Sequence, residues 1–157
     1  YSVGVTGHID IPPAFRSVVA TQIQAALAPL DTPFEALTSL APGADQAFAW
    51  AARARGAELV FVRPSADIER TIPPEHLTDF RTLAALATRL VAMPFDTASE
   101  DAYFAAGAYI ADAVDLLVAV WDGQPARGHG GTADIVDLRR ETGRPLTVVW
   151  PEGASRP

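Results

Sequence analysis

Short apolar runs alternate with longer stretches in which apolar residues recur every three or four positions, and the alternation runs the length of the chain. Ser2-Val3-Gly4-Val5-Thr6 predicts a strand. Phe15, Val18, Val19, Ile23, Ala26, Leu27 and Leu30 predict a helix after Pro12-Pro13. The unit repeats: Phe34 to Leu40 is the next strand, and Pro42-Gly43 opens an Ala-rich helix carrying Phe48 and Trp50 that stops at Gly56. Glu58 to Arg63 is a third strand. A polar connection from Pro64 to Glu75, expected to act as a lid, leads into a helix with Leu77, Phe80, Leu83, Ala84, Ala87 and Leu90. Leu90 to Met93 is a weak strand, and Tyr103, Gly107, Ile110, Ala111 and Val114 form one helical stripe. Leu116 to Trp121 is the clearest strand of all. Ile135, Val136 and Leu138 mark a helix ended by Gly143, and Leu146 to Trp150 closes the sheet.

Apolar strands alternating with amphipathic helices predict an α/β fold: a Rossmann-like, doubly wound, mostly parallel sheet flanked by helices on both faces. At 157 residues and 49% hydrophobic, the chain suits one domain over residues 1–150, with 151–157 as a linker-like tail. It starts inside a strand pattern and finishes in that tail, so the expectation is a module of a longer protein.

Ligands in such sheets sit beyond the carboxyl ends of the strands, where strand order reverses. Three strand-to-helix loops carry unusual residues and are expected at that edge: Thr6-Gly7-His8-Ile9-Asp10, Ala41-Pro42-Gly43-Ala44-Asp45, and Trp121 through Thr132. Gly128-His129-Gly130-Gly131-Thr132-Ala133-Asp134 follows a strand and opens a helix. Its glycines permit close backbone approach, and the first N–H groups of the helix point at negative charge. Gly130, Gly131 and Thr132 therefore read as an anion cradle, with Arg127 placed to pair with a phosphate. Thr6 and Gly7 offer a hydroxyl and a close approach, Gly43 and Ala44 further N–H donors, and Asp45 an acceptor for a ribose or base. Trp121 or Tyr103 offers a stacking surface. His8 and His129 lie in glycine loops rather than on apolar faces. Each residue alone has a plainer reading as turn glycine, helix cap or core aromatic; the argument is the recurrence of such loops after different strands.

Composition removes several chemistries. Cys is absent, so disulfides and thiolate zinc sites are excluded. All twelve basic residues are Arg, which excludes Schiff-base chemistry and the lysine-bearing P-loop. There is no G-x-S-x-G elbow and no H-E-x-x-H, and His8, His76 and His129 show no metal-ligand spacing, so no metal and no required cofactor are expected. No apolar run approaches the roughly 18 residues of a membrane span, so the expectation is a cytoplasmic protein with no membrane partner. A net charge of −7 predicts no nucleic-acid partner, because polyanion binding depends largely on basic groups. Arg139 and Arg140, the only adjacent basic pair, are expected on a solvated helix face.

The segments 3–10, 39–45 and 119–134 together resemble the SLOG superfamily, which groups DNA-processing proteins, LOG-type cytokinin-activating enzymes and sensor domains beside bacterial defence effectors. The resemblance implies a Rossmann-like domain binding a nucleotide or nucleotide-derived signal, with a homo-oligomer or a fused effector domain reading the result. It also implies an alternative, a phosphoribohydrolase of the LOG type cleaving the N-glycosidic bond of a nucleoside monophosphate. Those enzymes carry P-G-G-x-G-T-x-x-E. Gly130-Gly131-Thr132 matches the middle of that motif, while Ile135 stands where the Glu falls and Asp134 comes one residue early. Asp134 or Asp122 would have to serve as the acid–base group, which weighs against that route. A third alternative is a structural interaction domain whose glycine turns serve folding alone.

Overall fold

The computed structural model describes residues 1–9, 11–126 and 131–154. Its six strands are β1 (Ser2–Gly7), β2 (Glu35–Thr38), β3 (Glu58–Arg63), β4 (Arg89–Ala92), β5 (Leu116–Val120) and β6 (Leu146–Val149). The helices between them are α1 (Arg16–Leu27), α2 (Ala44–Ala54), α3 (Pro74–Leu86), α4 (Glu100–Ala113) and α5 (Thr132–Glu141). The strands form one sheet in the order β4-β3-β2-β1-β5-β6, and every pairing is parallel.

The pleat explains the two cores. Along β1, Val3 and Val5 point to one face and join α1 and α2 through Val19, Ile23, Leu27 and Phe48. Gly4 points to the other face, where an added Cβ would collide with Ile110 of α4. That second, smaller core holds Leu37, Val60, Val62, Leu117, Ile110, Val114 and Ile135. α1, α2 and α3 therefore cover one side, and α4 and α5 the other.

Two expectations change. The Pro64–Glu75 connection is anchored rather than free: Ser65, Ile68 and Ile72 are buried, and Asp67 accepts bonds from Ser65 Oγ and the Ala98 N–H, both at 2.8 Å. The two isoleucines supply the apolar grip that a lid would lack. Arg139 does not share a solvated face with Arg140. Consecutive helical residues lie about 100° apart, so Arg139 turns inward, fully buried, while Arg140 stays exposed.

Candidate functional site at the carboxyl edge of the sheet

Strand order reverses between β1 and β5, because the chain builds outward from β1 to β4 and then crosses back through α4 to β5. The loops leaving these two neighbours frame the crevice where a parallel sheet of this type takes ligands. Packing there is tight. A Cβ on Gly7 would collide with Ala44 and come within 2.9 Å of Val120 Cβ, so only glycine lets β1, β5 and α2 converge.

His8 is the centre of the arrangement. Its N–H donates to Val120 O (3.2 Å), and its carbonyl accepts from the Ala44 N–H (3.2 Å). Its ring is buried against Trp150, edge to face, with ring centres 5.3 Å apart. Ring Nε2 lies 3.1 Å from the Asp122 backbone N and 3.2 Å from Asp122 Oδ1, and ring Nδ1 lies 3.4 Å from Thr132 Oγ1. One residue thus joins the β1 loop, the start of α2, the β5 loop and the start of α5.

The loop from β2 to α2 is held from within. Leu40, buried, adopts φ 59°, a left-handed conformation that costs a non-glycine residue about 1 kcal/mol or more. Its N–H donates to Thr38 Oγ1 (3.1 Å), and its carbonyl accepts from Gln46 Nε2 (3.2 Å). Gly43, at φ 82°, runs against the Ile9 and His8 carbonyls, where a Cβ would lie 2.7 Å from His8 O. Asp45 folds back to accept from the Ala41 N–H (3.3 Å). Burial pushes its carboxyl up to about 7, against the opposing pull of the Ala41 and Ser39 N–H groups. Tyr103, beside Thr71 at 3.5 Å, is raised chiefly by burial, with the charges of Asp45 and Asp67 adding to it.

Gly131 is the N-cap of α5 and has no side chain to cap the helix; Thr132 and Ala133 follow it, both buried. Trp121 leaves β5 with its Nε1 donating to Gln124 O (2.9 Å), while the Arg140 guanidinium lies over its ring at 5.3 Å. Asp122 Oδ1 accepts from the Gln124 N–H (3.0 Å).

Of the residues expected at the site, Gly7, His8, Gly43, Ala44, Asp122 and Thr132 are brought together through these contacts, and Thr6 on β1 and Gly131 just before α5 flank them. The Ala44 N–H, expected to face a ligand, is committed to His8 O. Asp45 turns to its own loop, and one face of Trp121 carries Arg140. Arg127, Gly130, His129 and Asp10 lie outside the described residues. Trp150 was missed. Its position at the end of the last strand, hence at this same edge, was the available signal.

Parallel strand order, the crevice at β1 and β5, and glycine-lined loops define an SLOG-type fold. Solved structures that resemble it share little of its sequence. DNA processing protein A (DprA) from Streptococcus pneumoniae superposes with a TM-score of 0.70 at 16% identity over 98% of this chain, which spans 52% of that protein. DprA from Helicobacter pylori, described for its single-stranded DNA binding mode, gives 0.69 at 15% identity over 99% of this chain and 67% of its own. The molybdenum cofactor carrier protein from Chlamydomonas reinhardtii gives 0.57 at 18% identity over 94% of this chain and 74% of its own. No protein-family model and no curated protein matches the chain in sequence.

The likeness to H. pylori DprA overturns the expectation of no nucleic-acid partner, since a domain of this fold occurs in a protein that binds single-stranded DNA. Net charge is summed over the whole surface, whereas a strand is gripped locally, by backbone donors and by stacking on aromatic rings. A total of −7 therefore does not decide the matter.

Among the described residues, no helix is long and apolar enough to cross a membrane, and no group of three or more His, Asp or Glu side chains is placed to hold a metal ion.

Proposed function

We propose that this domain binds a nucleotide or nucleotide-derived signal, with a phosphate at the start of α5, and acts in the cytoplasm as a sensor module regulating a fused or partner effector. The observation that carries this reading is the His8 junction: four segments of the carboxyl edge meet on one residue, at the strand-order reversal, beside a helix start that has no side-chain cap. Ile135 favours binding over hydrolysis of the LOG type. It is buried, its side chain so close that a Cβ on Gly107 would lie 2.8 Å from Ile135 Cδ1, and the position holds an apolar core contact where that mechanism uses a carboxylate.

A second reading, favoured by the likeness to H. pylori DprA, is that the same phosphate site takes a single-stranded nucleic acid. A thermal-shift panel of mono-, di- and cyclic nucleotides, sugar-nucleotides and short DNA single strands separates the two, because a ligand that binds only the folded state raises Tm. Gly131→Asp is the matched control. The position has φ −67°, open to any residue, and Asp is a good helix N-cap, so the variant should fold while repelling an anion. The expected result is loss of the nucleotide-induced shift; a shift that survives unchanged removes the site assignment.

A further inference from the structure

Among the described residues, three arginines are buried or half-buried: Arg63, Arg139 and Arg144. Arg139 and Arg144 give their donors to backbone carbonyls at the amino edge of the sheet. Arg63 ends β3 at the opposite, carboxyl edge, and its side chain has no hydrogen-bond or ion-pair partner, although its Nε is buried. We propose that Arg63 is an anion-binding residue, whose terminal nitrogens take the oxygens of a phosphate group at the carboxyl end of β3, at a position separate from the start of α5.

The backbone under this side chain is fixed. The Arg63 carbonyl accepts from the Met93 N–H (2.9 Å), which ties it to the end of β4, and buried Pro64 sets the next φ. Side chains alternate along a strand, and Phe61, two residues earlier, meets Phe80 of α3 edge to face with ring centres 5.7 Å apart, so Arg63 leaves the sheet on the α1–α3 side. A guanidinium partly withdrawn from water loses hydration that an acceptor with a counter-charge restores. The acids that follow in the chain do not supply one. Asp67 is taken up by Ser65 Oγ and the Ala98 N–H, and Glu69 pairs with Arg81 at 3.1 Å. With Nε shielded and the residue half-buried, the terminal nitrogens are the accessible part of the group, and their planar fork matches two oxygens of a phosphate.

In the order β4-β3-β2-β1-β5-β6, β3 lies three strand spacings from β5, roughly 14 Å, and α5 packs on the other face of the sheet. The Arg63 position therefore stands or falls without the α5 site. A guest that engages both carries two separated anionic groups, so Arg63 selects such a guest over a mononucleotide with one phosphate.

The test uses inorganic phosphate and follows the Arg63 Nε–H and Met93 amide resonances by NMR, with sodium chloride at matched ionic strength as the control. Phosphate should move both resonances saturably, and chloride should not. Arg63→Gln removes no hydrogen bond within the protein, so it should fold, and it should weaken the Met93 response at least about tenfold, in line with loss of a charge-assisted hydrogen bond. Arg63→Lys keeps a charge without the fork and should fall between the two. Gly131→Asp should leave the response unchanged. A Met93 response that survives Arg63→Gln at full strength, that chloride reproduces, or that the wild type lacks overturns the proposal, and so does one lost in Gly131→Asp, which would make the two positions one. Should Arg63→Gln fail to fold, the Nε–H resonance of the wild type decides: movement with phosphate and not with chloride supports the site, and no movement overturns it. Gly131 and Thr132 resonances that phosphate never moves would remove the α5 site and leave this one standing.

Discussion

Arg139 and His8 are both buried, and each ties together segments far apart in sequence, one at the amino edge of β5 and β6 and the other at the carboxyl edge of β1 and β5. Arg139 makes five hydrogen bonds, from Nε and both terminal nitrogens, to the carbonyls of Ala111, Val114, Asp115 and Pro145, at 2.8–3.0 Å. Burial first, and then the like charge of Arg144, pull its guanidinium below its ordinary value, yet arginine keeps its proton in proteins. Every donor is matched to an acceptor that cannot change state. His8 has as partners a backbone N–H, a carboxylate and a hydroxyl, and the ring itself can accept or donate. A buried polar side chain is therefore no sign of function by itself. What distinguishes the two is whether the surrounding bonds can be rearranged.

The most damaging break is on the Arg139 side. Arg139→Met keeps much of the apolar stem but removes all five of its hydrogen bonds; Val114 O keeps Arg144 and Pro145 O keeps the Leu117 N–H, while the Ala111 and Asp115 carbonyls lose the arginine's donors, and unsatisfied acceptors of this kind cost about 1–3 kcal/mol each. The expected loss of stability is about 4 kcal/mol in denaturant unfolding, allowing for relaxation and water entry. At a temperature where the variant remains folded, any nucleotide response should match the wild type's. An equal loss of response would erase the distinction between the two edges.

That distinction was only partly legible in the sequence. The strands and helices were, because periods of two and of about 3.6 residues leave separate marks on the apolar pattern; Glu58–Arg63 is a strand to the residue. The convergence of three loops was also legible, because parallel topology forces every strand-to-helix loop to one edge. Pairing was not. Nothing local marks Arg139 as the residue that satisfies the end of α4, nor His8 as the partner of a carboxylate 114 residues away. Such contacts belong to the register of β1 against β5, which sequence periodicity does not report. The Ala44 N–H and the Asp45 carboxylate were misjudged for a related reason. A helix start that looks open in sequence is already used when another loop crosses it, as His8 O and Ala41 N do here.

Asp45 sharpens the comparison, since it is buried at the carboxyl edge and its carboxyl can change protonation state. Its folded-state value of about 7 lies above the ordinary 3.8, so between those values the folded chain holds a proton that the unfolded chain has released. Stability from this group is therefore full below about pH 4 and is lost as pH rises towards 7. Asp45→Asn keeps an acceptor for the Ala41 N–H and removes the titration. The variant should be flat over that window and more stable than wild type near pH 8, by on the order of 2 kcal/mol, in urea unfolding at several pH values. A wild-type curve that rises over the window would show that the Ala41 and Ser39 N–H groups outweigh burial.

The smallest expected effect falls between the two edges, on Arg140 and Trp121. The guanidinium lies 5.3 Å from the ring centre, and an exposed cation over an indole contributes about 0.5–1 kcal/mol. Arg140→Gln should cost no more than that, with a change in indole fluorescence reporting the uncovered face. Its effect on ligand affinity is the informative part. A base stacked on Trp121 would occupy either the face that Arg140 covers or the opposite one. In the first case, removing the cation takes away a competitor and affinity rises. In the second, the base and the guanidinium sandwich the ring and affinity is nearly unchanged. A fall in affinity would mean that Arg140 contacts the guest directly. It would then join His8 among the rearrangeable groups, although its neighbour in the chain belongs to the rigid ones.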